Sequence, residues 1–75
     1  MSEELKESMN IAIEVVAREH AKESGFDMQK EPHALMRMMA CVFSSKDLFR
    51  KAIDRAKELA SDPALLEQTK KELGR

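Results

Sequence analysis

The chain has 75 residues, with 13 Lys and Arg against 14 Asp and Glu. Its formal net charge of −1 excludes any global electrostatic pull toward nucleic acid or an anionic membrane. One cysteine excludes an internal disulfide, and two histidines beside it are too few for a structural zinc site. With three Phe and no Trp or Tyr, core volume has to come from Leu, Ile, Val, Met and Ala.

That is enough for one small domain spanning residues 1–75. Cores of this size only just offset the entropy of ordering the chain, and oligomerisation is the one staple left open. Charge is unevenly spread. Residues 1–32 hold four bases against eight acids, and residues 33–75 hold nine bases against six acids. An acidic end and a basic end can pair head to tail or across a dimer axis.

The first helix is predicted over about residues 2–24. Ser2 can cap it, Glu3 and Glu4 complement its positive N-terminal dipole, and Gly25 suits the left-handed residue that ends a helix. Phe26 is expected to fold back as the apolar contact of that motif. Leu5, Met9, Ala12, Ile13, Val16 and His20 form one stripe at 3.6 spacing. Ile11 and Val15 fall outside the stripe and widen the apolar face, which reads either as a wide core-facing stripe or as a second contact surface, in a dimer or with a partner. The connector that follows ends at Pro32, a residue that fits a first helical turn.

The second helix is predicted over about residues 33–43, HALMRMMACVF, with only His33 and Arg37 polar. A helix apolar on nearly every side expects burial on every side, and a chain this short has little protein to provide it. His33, Met36, Met38, Met39 and Cys41 are soft metal donors, but their i,i+3 pairs diverge around the helix, so packing is the better reading. Cys41 lies between Ala40 and Val42 with no base nearer than Arg37, which argues for an inert buried thiol. No metal or cofactor is implied.

Ser44-x-x-Asp47 resembles a capping box, with Phe43 and Leu48 at the staple positions, so the helix is expected to break there; the alternative is one long kinked helix over residues 33–60. The third helix is predicted over about residues 45–60. Leu48, Phe49, Ala52, Ile53, Ala56, Leu59 and Ala60 share its apolar face. Asp62-Pro63 is an N-cap acid followed by proline at the first helical position, and starts a short fourth helix over 63–73. Leu66, Thr69 and Leu73, flanked by Leu65, make its narrow stripe, and Glu67 is placed to pair with Lys70 and Lys71.

The expected fold is therefore all-α: a small bundle of three main helices plus a short fourth. The sequence contains no phosphate-binding glycine loop and no nucleophile–base constellation, so an enzyme is not expected. The acidic N-terminus, MSEELKES, has no secretory h-region, and the longest apolar run, Met38 to Phe43, is too short to span a bilayer. A lone thiol also suits a reducing compartment, so a cytoplasmic setting is expected.

The leading expectation is a small interaction or regulatory protein acting as a homodimer and binding a protein partner whose identity the sequence leaves open. The expected interface is Ile11, Val15, Leu35, Met36, Met38, Met39, Val42 and Phe43. The alternative is a nucleic-acid-associated regulator. In it the turn near Phe43–Lys46 resembles a helix-turn-helix, and Lys46, Arg50 and Lys57 line one edge of the third helix. Asp47, Asp54 and Glu58 run beside that edge and would repel phosphate.

Overall fold

A computed structural model describes residues 3–25 and 33–74. Four helices follow in chain order: α1 (Glu3–Glu23), α2 (Ala34–Ser44), α3 (Lys46–Ser61) and α4 (Pro63–Glu72). Among the described residues there is no strand. The expected cap at Ser2, the Phe26 contact and the start at Pro32 lie outside the described residues.

The helix ends follow local chemistry. Gly25 has φ +71°, the left-handed conformation that closes α1, and its N–H donates to Lys22 O at 3.2 Å. Between α2 and α3 a single residue, Ser45, leaves helical geometry (φ −103°, ψ 123°). Its Oγ accepts from the Leu48 N–H at 3.3 Å.

The break therefore falls one residue later than the capping-box pattern suggested. Ser44 is still helical and its Oγ donates to Ala40 O at 3.0 Å. Ser45 wins the cap because its extended backbone lets the hydroxyl reach the third helical N–H. The shift also changes the apolar contact across the break. Phe43 meets Phe49, with ring centroids 6.0 Å apart and planes at 41°. At the next junction Asp62 Oδ1 accepts from the Leu65 N–H at 3.2 Å and Pro63 opens α4, as its sequence specified.

α1 and α3 are the central pair. Among the described residues each touches the other three helices, whereas α2 touches only α1 and α3. Two apolar clusters result. Ile13, Val16, Ala17, Val42 and Ala52 form the first, where α1 meets α2 and the start of α3. Met9, Leu35, Met38, Met39 and Leu48 pack on it. Ile11, Ala12, Ala56 and Leu59 form the second, where α1 meets the end of α3 and α4. Val15, Leu65, Leu66 and Leu73 close it. Small side chains on both partners, Ala12 and Ala17 against Ala52 and Ala56, let α1 and α3 approach closely.

Polar groups tie the same elements. Glu14 is 5% exposed and its Oε2 lies 3.6 Å from Arg18 Nε, one turn along α1. Arg55 of α3 reaches Glu19 of α1 at 3.4 Å. Lys70 of α4 pairs with Glu7 of α1 and with Glu67, the latter at 3.3 Å. The acidic first half and the basic second half are thus paired in part within one chain. In α4, Thr69 is buried because its Oγ1 donates to Leu65 O at 2.8 Å, which satisfies the hydroxyl locally.

Candidate functional site

The eight apolar residues expected at an interface divide into three groups. Ile11 and Val42 are 0% exposed and belong to the chain's own core. Val15, Leu35, Met38 and Met39 are half-buried against the two clusters. Met36 and Phe43 stand out in solvent at 71% and 60% exposure.

Ile11 is a correction to the idea of a second contact surface on the first helix. α4 and the end of α3 cover it, so the wide apolar face of α1 is consumed inside the chain. Val42 is covered by α1 and α3 in the same way.

α2 is consequently two-sided. Ala34, Leu35, Met38, Met39 and Val42 face the core. Met36, Ala40 and Phe43, spaced i, i+4 and i+7, form an exposed stripe opposite. Arg37 and Ser44 border it. Cys41 is exposed, against the expectation of a buried thiol, because among the described residues α2 packs only against α1 and α3 and Cys41 lies away from them. The soft-donor set splits likewise. Met38 and Met39 pack inward, while Met36, His33 and Cys41 are exposed. Among the described residues no cluster of His, Cys, Asp and Glu could hold a metal ion.

Lys46, Arg50 and Lys57, the residues of the nucleic-acid alternative, are all exposed on α3. They line an open groove of about 390 Å³ together with Phe49, Ile53 and Asp54. Phe49 and Ile53 were expected on the core face of this helix. Both are only half-buried, because Ala52, Ala56 and Leu59 take the contact with α1 and leave the other two at its edge. A second groove, about 240 Å³, runs between α1 and α3 and is lined by Val16, Glu19, Lys51, Asp54, Arg55 and Glu58. Its charges are mixed, and the Arg55–Glu19 pair bridges it.

His20 is half-buried beside Val16, Leu48, Glu19, Glu23 and Lys51. Ser8 was not singled out by its pattern, yet it is 0% exposed and its Oγ has no hydrogen-bond partner among the described residues. It borders a pocket of about 90 Å³ with Leu59, Ala60, Pro63 and Leu66. A serine between Glu7 and Met9 carries no signal in a helical pattern that could have marked it.

In comparisons with known proteins, no family model, no curated protein and no solved structure matches this chain. Among the described residues no helix is long and apolar enough to cross a membrane.

Proposed function

We propose that this chain is a small interaction or regulatory protein that self-associates through the outer stripe of α2 and presents its remaining surface to a protein partner. One observation supports the reading above others. Met36 and Phe43, the two large apolar side chains most open to solvent among the described residues, stand on the same stripe of the most apolar helix. Isolated exposed apolar residues are ordinary, but a stripe of them with Ala40 between is what an interface leaves when its partner is absent. Methionine and phenylalanine also suit a seam that repacks around a second surface. A two-fold axis across α2 would set the two stripes against each other. The cytoplasmic setting belongs to this reading, since a reducing compartment keeps the exposed Cys41 thiol free.

Sedimentation equilibrium at micromolar concentration tests it. The unmodified chain is expected as a dimer, and Met36→Glu with Phe43→Glu as a helical monomer. A monomeric unmodified chain would sink the reading.

The nucleic-acid alternative is favoured by one observation, the exposure of Lys46, Arg50 and Lys57 on one side of α3. Against it, Asp54 lines the same groove. The single residue between α2 and α3 is also shorter than the three- or four-residue turn of a helix-turn-helix. Retention on heparin and a salt-dependent shift of a duplex at about 50 mM salt would support it.

A further inference from the structure

We infer that the outer groove of α3 docks an acidic, amphipathic helix from a partner protein. Phe49 and Ile53 form the floor of this site, and Lys46, Arg50 and Lys57 form its rim. The inference rests on the interaction reading above and names the chemistry of the partner.

Charge is the first argument. Arg55 and Lys70 reach acids of α1, whereas Lys46, Arg50 and Lys57 form no ion pair with any described residue. Three neighbouring cations share one edge of a helix, at spacings of four and seven residues, and all three are exposed. Such an edge attracts carboxylates and speeds encounter with an acidic surface.

Apolar surface is the second. Phe49 and Ile53 line the groove beside these cations and are half-open to solvent. The Phe43 ring, packed on Phe49, extends the floor toward α2. The combination is an apolar trough with a cationic bank. Its complement is a helix whose apolar residues recur every three or four positions with acids alongside.

Length is the third. Lys46 to Lys57 spans eleven residues of rise, about 16 Å, or three turns, so one short helix of the partner covers the site.

The details favour a protein helix over other anionic partners. The apolar floor contributes little against a nucleic-acid backbone. Beyond the cationic bank, the exposed Asp47, Asp54 and Glu58 repel a surface that is anionic throughout, whether phosphodiester or lipid headgroup. A helix with acids on one border only avoids that row. Asp54, inside the groove, would accept a single base from it.

The test titrates the isotope-labelled full chain with a panel of Leu/Glu amphipathic peptides of about 14 residues, near four turns. A Leu/Lys series, a DNA duplex and vesicles of anionic phospholipid run in parallel. Amide shifts confined to residues 46–57 with the acidic series are expected, weakening as salt is raised. Lys46→Glu with Arg50→Glu should weaken binding by at least about tenfold with helicity unchanged, since both residues are exposed. Ile53→Ala should weaken it at unchanged salt dependence.

Absence of shifts with the acidic series overturns the inference. So does equal binding of the Leu/Lys series, or a duplex or vesicle shifting the same amides where the acidic peptides do not. Met36→Glu with Ala40→Glu, on the α2 stripe and outside this groove, separates the two readings. Peptide docking retained by a monomer supports this site even if self-association fails.

Discussion

α1 and α2 differ in a way that neither composition nor length accounts for. α1 is rich in charge, yet it contributes Ile11, Ala12, Ile13, Val16, Ala17 and Ala21 to the buried core. α2 has Arg37 as its one charged residue, yet it buries only Ala34 and Val42. Neighbours make the difference. α1 is enclosed by three helices, and α2 lies at the periphery against two. Apolar side chains of α2 that neither neighbouring helix covers remain exposed. That remainder on α2 is the Met36–Ala40–Phe43 stripe.

The comparison breaks most visibly at Ile11. Truncation to Ala leaves a cavity between α1, α3 and α4 and is expected to cost about 2–5 kcal/mol in urea unfolding. If Ile11→Ala proves as mild as a surface change, α1 is not the enclosed helix described above.

Ser8→Ala, on the same helix, should act in the opposite direction. The buried hydroxyl has no partner among the described residues, and removing it is expected to raise stability by about 1 kcal/mol, read as a higher urea midpoint at constant m-value.

Ser45→Ala removes the cap that separates α2 from α3 and should cost about 1 kcal/mol. A larger loss, or fusion into one continuous helix with more ellipticity, would show that the cap also holds α2 in place.

Met36→Glu sharpens the contrast from the exposed side. It is expected to change the stability of the folded monomer by no more than about 0.5 kcal/mol while lowering the sedimenting mass. Met38→Glu, by contrast, should lower helicity, because Met38 packs on the first cluster.

Particular residues show how far the sequence could be followed. Asp62-Pro63 and Gly25 mark helix ends by chemistry that acts within a few residues, and both behave as written. The serine pair at 44 and 45 is harder. Two adjacent residues offer the same hydroxyl, and which one caps depends on which backbone turns extended. Cys41 and Ile11 were out of reach for another reason. Their helical positions are plain, but whether a neighbour sits over them depends on how α4 and α3 pack across α1. The groove on α3 is similar, since Phe49 and Ile53 look like core residues until Ala52, Ala56 and Leu59 are seen to take that contact.

By itself the sequence determined an all-α chain of four helices, the glycine end of α1 and the α3–α4 junction, because capping groups, proline, glycine and 3.6-residue periodicity act over a turn or two of backbone. It also determined that α2 carries more apolar surface than so short a chain is expected to cover. Only the tertiary structure decided which of those side chains stay outside: Met36 and Phe43 rather than Ile11 and Val42. The physical reason is that a helix face is buried by what packs against it, and that packing is a property of the whole chain.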